Sequence, residues 1–243
     1  MTYVIFHAHP VRYLCDMAKC TEIHSTHLRN FQALSQEARE RLLVSSESLT
    51  LPKGSLVFEE NQPLSKLFCI KKGACKFSKA DNQGQEHILR FLGEGDVMGK
   101  RSIVSNTVAQ VSATTLTETE LCCLERREIQ KNLENNPEFC HDFMSSLVED
   151  ANNDDRTRVQ FYMRRGIKQR LAKLLLYLLR KFGADEEGKL NLKLKRDDVA
   201  SVLGTSPEYI INLLKKFKMK ELIRTKNSDV FIISKSGLDD MAV

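Results

Sequence analysis

Residues 196–215 read RDDVASVLGTSPEYIINLLK, and this stretch decides how the whole chain is read. Its small, turning and capping residues fall where two crossed helices demand them. Ala200 is small at the crossing point. Gly204 takes the turn, where positive φ is needed and a side chain is expected to clash. Val199, Leu203, Ile210 and Leu213 supply apolar faces that lock the two helices together. Ser206 is placed to cap the second helix, Pro207 takes its first position, and Glu208 follows near its positive end. Any amphipathic pair carries some of these features; all of them at this spacing make a helix-turn-helix.

A motif of this kind sends the N-terminal half of its second helix into the major groove of DNA. The residues projecting from that half are Ser206, Pro207, Glu208, Ile211 and Asn212, and Arg196 and Thr205 complete the candidate set within the motif. Glu208 is suited to accept from a cytosine amino group and Asn212 to pair bidentately with adenine. Lys215, Lys216, Lys218 and Lys220 lie further along, where phosphates are the natural partners. A solvated helix face is the competing reading, and only some of these lysines are expected to touch DNA. Residues 224–234 then read as two short strands around Lys226-Asn227-Ser228-Asp229, a hairpin wing that offers Arg224 and Lys226 to the DNA backbone.

Upstream, residues 168–182 carry the apolar stripe Leu171, Leu174, Leu175, Leu178 and Leu179 and stop before Gly183, a natural helix end. Residues 163–166 read as a hinge and 184–189 as a polar loop. Before the hinge, Asn136-Pro137-Glu138 starts another helix, with Asn as cap and Pro at the first position. Cys140, Met144, Leu147, Ala151, Asp154, Arg158 and Phe161 follow at spacings of four and three, a coiled-coil-like seam. About 25 residues, or about 37 Å, is long for a core helix of a small domain. Pairing of two such helices in a homodimer accounts for it better than intramolecular packing. Asn153, Asp154 and Asp155 interrupt the seam; they either face solvent or repel across a two-fold axis.

Between about residues 50 and 125 the texture changes to short β-prone runs separated by turn residues. Six of the eleven glycines fall there, which reads as an antiparallel sandwich or roll. Residues 35–43 form a short helix capped by Ser35. The expected architecture is α+β: a lead (1–34), an antiparallel β-roll sensing domain (35–135), a dimerisation helix (136–163) and a winged helix-turn-helix (164–243).

Charge divides along the same line. Residues 1–160 hold 19 Lys+Arg against 22 Asp+Glu, whereas 161–243 hold 18 against 10, a basic module of the kind that meets nucleic acid. With 42% hydrophobic residues the chain has apolar content for real cores, which excludes disorder. No apolar run approaches the roughly 18 residues of a membrane span, and residues 3–6 are too short for a signal-peptide core. A cytoplasmic protein with no membrane partner is expected. All seven cysteines lie in the acidic part, and without export signals they are expected to be thiols or metal ligands rather than a disulfide framework.

A β-rich roll, a long helix and a winged helix-turn-helix together resemble the cyclic-AMP receptor protein/fumarate–nitrate regulator (CRP/FNR) family of bacterial transcription factors. The resemblance spans roughly residues 31–238. It is carried by Lys53-Gly54, Gly73, Gly95-Asp96-Val97-Met98-Gly99, Val111-Ser112-Ala113 and the helix-turn-helix. The segments LFCIKKGACKFSK and GTSPEYIINLLKKFK look most like Bacteroidetes members. The resemblance implies a homodimer on a two-fold symmetric DNA operator, with RNA polymerase as a further partner.

The chain departs from the family pattern at its effector site. Cyclic-nucleotide-binding members follow the position of Gly99 with a glutamate for the ribose and carry an Arg-Ser pair for the phosphate. Here the corresponding residues are Lys100-Arg101-Ser102 and Thr107-Val108, so cyclic AMP is not expected to bind in the usual way. Gly99, Lys100, Arg101, Ser102, Thr107 and Val108 remain the candidate effector pocket. Lys100 and Arg101 are read as solvated surface charge or, alternatively, as an anion site. The recognition helix also lacks the family's guanine-reading arginine, having Ile211-Asn212 where Ser-Arg is usual.

Oxygen-sensing members hold an iron–sulfur cluster with three N-terminal cysteines and one in the roll. Cys122 matches the roll position, but the N-terminus offers only Cys15 and Cys20, with His24 and His27 following. Their spacing lacks the close C-x2-C pair from which such sites usually start. The cofactor therefore stays open, and a redox or metal sensor, or heme, stands as the alternative input. A thiol enzyme is the competing function class, but no activated Cys–His pair can be placed and no enzyme is expected.

Overall fold

The computed structural model describes Phe31, residues 34–162 and residues 166–242; over 154–162 only the helical backbone is described. The chain begins there with α1 (Gln36–Val44), whose N-cap Ser35 accepts a hydrogen bond from the Ala38 amide.

Eight strands follow: β1 (Glu47–Leu51), β2 (Leu56–Phe58), β3 (Lys66–Lys72), β4 (Cys75–Ala80), β5 (Glu86–Leu92), β6 (Val97–Met98), β7 (Ser112–Thr115) and β8 (Thr119–Glu125). They form two antiparallel four-stranded sheets, ordered β1-β8-β3-β6 and β2-β7-β4-β5. Leu51, Phe58, Ile70, Leu92, Met98 and Leu121 fill the space between them. Adjacent residues on β8 face opposite ways, as strand geometry requires: Cys123 joins this interior, whereas Cys122 joins Leu67 and Cys69 on the outer side.

Two further helices cover that outer side. They are α3 (Arg126–Asn135) and α4 (Pro137–Tyr162), and with α1 they enclose Leu42, Ile129, Phe139 and Phe143. Asn136 Oδ1 accepts from the Phe139 amide at 2.9 Å, so the cap read from sequence forms. The short α2 (Lys100–Ser105) bridges β6 and β7. It was not foreseen, because its six residues are too few to show a period.

The C-terminal half consists of α5 (Ile167–Phe182), α6 (Arg196–Leu203), α7 (Pro207–Met219), the hairpin β9 (Ile223–Lys226) and β10 (Asp229–Ile232), and α8 (Lys235–Ala242). Leu171, Leu174, Leu175 and Leu178 of α5 form its core with Leu203, Ile210, Phe217 and Leu238. That core continues into the roll through Ala74, Ile88, Phe91 and Leu116, so the two halves are docked. Polar contacts fix the dock. Ser201 Oγ on α6 donates to the Glu86 carbonyl at 2.7 Å and accepts from the Ile88 amide at 2.9 Å. Asp198 on the same helix pairs with Lys76 of β4 at 2.8 Å, and both side chains are largely buried. Among the described residues no helix is long and apolar enough to cross a membrane.

Candidate nucleic-acid interface

The helix-turn-helix is built by local chemistry. The Asp198 carboxylate accepts from the Lys195 amide at the start of α6, and the Thr205 amide donates to the Ala200 carbonyl across the turn. Gly204 adopts φ +59°, yet nothing lies within 4 Å of a Cβ added there. The expected clash is therefore absent, and the glycine is required by its left-handed backbone alone. Ser206 Oγ accepts from the Tyr209 amide at 3.3 Å, with Pro207 at the first helical position.

Burial sorts the residues of α7 by face. Ile210, Leu213, Leu214 and Phe217 are buried, whereas Ser206, Glu208, Ile211, Asn212, Lys215 and Lys216 are exposed, and Thr205 and Pro207 are half-buried. Glu208 bonds its own amide and the Ser206 hydroxyl, which hold its carboxyl below the usual glutamate range. It is therefore an ionised acceptor at neutral pH, ready for an amino group. Tyr209, 46% exposed, flanks this ridge and was missed by the sequence reading. Its exposure follows from helix phase, since it precedes the buried Ile210.

The remaining candidates differ in setting. Lys226 is exposed on the wing. The Arg224 guanidinium lies 4.2 Å from the centroid of the Phe231 ring and 3.5 Å from Glu187. Arg196 opens α6 and is half-buried beside an apolar cleft lined by Leu194, Val199 and, from α7, Leu214.

The cassette between β6 and β7 is different again. Gly99 (φ +91°) leads into α2, but Lys100 is only 3% exposed and turns inward. Its Nζ lies 2.6 Å from Asp150 Oδ2 of α4, so the reading as solvated charge or free anion site is corrected: the cation is buried and paired. Burial alone would raise the Asp150 pKa, but Arg90 and Lys100 outweigh it and hold the carboxyl below its ordinary range. Ser102 is buried and donates to the Val108 carbonyl, whereas Thr107 is exposed beside Ser105 and Arg101 is exposed. Ser102 and Thr107 thus differ in burial, and Val108 is half-buried. These residues do not fit a cyclic nucleotide held through a ribose carboxylate and a phosphate-binding arginine.

On α4, Phe139, Phe143, Ser146 and Asp150 face the roll. Cys140 is half-buried, and Met144 and Ala151 are exposed, as is Val148, which the seam omitted. Leu147 is half-buried and packs on the roll's outer cluster. The side chains of Asp154, Arg158 and Phe161 lie outside the described residues, as do Cys15 and Cys20.

Cys122 is fully buried on the outer side of the roll. Cys69, Cys75, Cys123 and Cys140 are free thiols. Burial pushes Cys69 and Cys75 up to about 12, which makes them inert. Among the described residues no three metal-ligating side chains converge.

Two family models match this architecture. Residues 48–136 match the cyclic nucleotide-binding domain, and residues 169–241 match the Crp-like helix-turn-helix domain. The chain belongs to the CRP/FNR family. It is similar to a CRP-like cAMP-activated global transcriptional regulator of Mycobacterium tuberculosis, 26% identical over 204 residues, which cover 83% of this chain and 91% of that protein. FixK2 of Bradyrhizobium japonicum has the same fold, with a TM-score of 0.71 at 16% identity over 82% of this chain and 98% of that one. So does the c-di-GMP responsive global regulator CLP of Xanthomonas campestris, with a TM-score of 0.68 at 19% identity over 82% of this chain and 100% of that one. As a CRP/FNR protein the chain is a DNA-binding transcription regulator with a cyclic-nucleotide-binding-like sensing domain, not an enzyme.

Proposed function

We propose that this CRP/FNR protein acts as a homodimer that reads a two-fold symmetric operator through α7 and responds to a signal other than cyclic AMP. The carrying observation is the ridge of α7, where an ionised Glu208, Ile211 and Asn212 stand exposed together. Glu208 accepts from a cytosine amino group, Asn212 pairs with adenine, and Ile211 offers an apolar surface to a thymine methyl. Ser206, Thr205 and Pro207 shape the approach, and Lys215, Lys216, Lys226, Arg224 and Arg196 supply positive charge toward phosphates. Dimerisation is supported by the exposed Met144, Val148 and Ala151 on one side of α4, continued by Cys140. RNA polymerase is the further partner that family membership suggests.

A mobility-shift assay with the DNA upstream of the protein's own gene tests this reading. A two-to-one complex whose affinity falls steeply with salt is expected. Binding that ignores salt, or that survives Glu208→Ala with Asn212→Ala unchanged, would overturn it.

A further inference from the structure

Five charged side chains from separate segments meet in a row beneath the cassette. Lys100, at the start of α2, places Nζ 2.6 Å from Asp150 Oδ2 and 3.4 Å from Ser146 Oγ, both on α4. The other oxygen of Asp150 accepts from Arg90 Nη1 of β5 at 2.9 Å. Arg90 Nη2 in turn lies 3.9 Å from Asp96 Oδ1, in the turn before β6. Asp96 Oδ2 takes Lys181 Nζ at 2.6 Å and the Gly93 amide at 2.8 Å. Lys181 belongs to the last turn of α5, in the DNA-binding half.

The signs alternate along the row, and Lys100, Asp96 and Asp150 are buried. Buried ion pairs contribute little net stability against apolar side chains of similar size, so stability alone does not explain four of them in succession. Their effect is geometric. Each charge has its partner on another element, so no element can shift without leaving a buried charge uncompensated. The centre of the row is β5, the strand on which α6 docks through Ser201.

We infer that Lys100, Asp150, Arg90 and Asp96 are positioning residues that transmit the placement of α2 to the DNA-binding domain, and so set where the two α7 helices stand in the dimer. The inference rests on the dimeric reading proposed above. A signal that displaces α2 acts through this row, without any need for a nucleotide to link the cassette to α4.

The test uses two variants of the full chain. Lys100→Met combined with Asp150→Asn neutralises one end as a pair, and Lys181→Gln cuts the other. The first readout is amide hydrogen exchange at Ile88, whose N–H is bonded to Ser201 Oγ at the dock. Exchange about tenfold faster in both variants is expected, with the amide of Leu213 inside the DNA-binding core unchanged. The second readout is binding to duplexes selected by the wild-type protein from a randomised pool, with the half-sites moved apart by one or two base pairs. Both variants should discriminate spacing less than the wild type while keeping the same base preference within each half-site, which general destabilisation would not produce. Unchanged Ile88 exchange and unchanged spacing discrimination in Lys100→Met/Asp150→Asn would overturn the inference. A wild-type protein that selects no two-fold duplex would overturn the dimeric reading instead, and Ile88 exchange would still decide whether the row couples cassette to dock.

Discussion

The cassette and the recognition helix carry similar side chains to opposite ends. At the start of α2 Lys100 is turned inward onto Asp150, and Arg90 binds the same carboxylate, while Arg101 stays exposed. Along α7 the acceptor Glu208, the amide of Asn212 and the lysines beyond them face solvent. A region whose polar groups are satisfied internally holds a shape, whereas one whose polar groups are exposed on a rigid, capped helix is ready for a partner. The two regions should therefore answer mutation differently, one in stability and the other in recognition.

Removing a carboxylate from the buried side should give the largest effect. Asp150→Ala leaves Lys100 and Arg90 without it and should lower unfolding free energy by about 3–5 kcal/mol in denaturant titration; a loss no larger than at an exposed site would break the contrast. Its pH dependence has a definite sign. The Asp150 carboxyl is held below its ordinary range in the folded chain, so its contribution is present at neutral pH and is lost only as pH falls below that range.

Glu208→Ala and Asn212→Ala should each relax base preference by about 1–3 kcal/mol in competition binding while changing stability by about 0.5 kcal/mol or less. Equal loss on every sequence would mean that they contact only the backbone. Gly204→Ala follows, at about 1–2 kcal/mol of stability, because the left-handed conformation is strained and no neighbour adds to the strain. A cost well above that would restore the clash expected from sequence. The smallest effects belong to Lys215→Ala and Lys216→Ala. Each should weaken all DNA alike and reduce the salt slope by about one if it touches a phosphate, and a slope that stays put marks a lysine on the solvated face.

The helix-turn-helix was legible because its demands are local: a left-handed turn at Gly204, a cap at Ser206 and a proline at the first helical position are each visible within 20 residues. The roll was legible through its turn residues. The partner of Lys100 was not, because Asp150 lies on a different element that only the folded chain brings near. On α4 the spacing of apolar residues fits two faces at once. Phe139 and Phe143 take the roll face together with Leu147, leaving Met144 and Val148 outside, which sequence periodicity could not decide. Helix α8 went unread because KSGLDD has the composition of a turn, although Leu238 and Ala242 anchor it in the core.

The central claim is that α7 alone supplies sequence recognition while the cassette has no need of cyclic AMP. It is tested most directly by the ratio of affinities for the upstream duplex and for a scrambled duplex at one salt concentration. That ratio is measured with and without cyclic AMP, for the wild type and for Glu208→Ala/Asn212→Ala. The account predicts a wild-type ratio on the order of a thousand or more, unmoved by cyclic AMP and collapsed in the double variant; a ratio that appears only with cyclic AMP, or that survives the two substitutions, would contradict it.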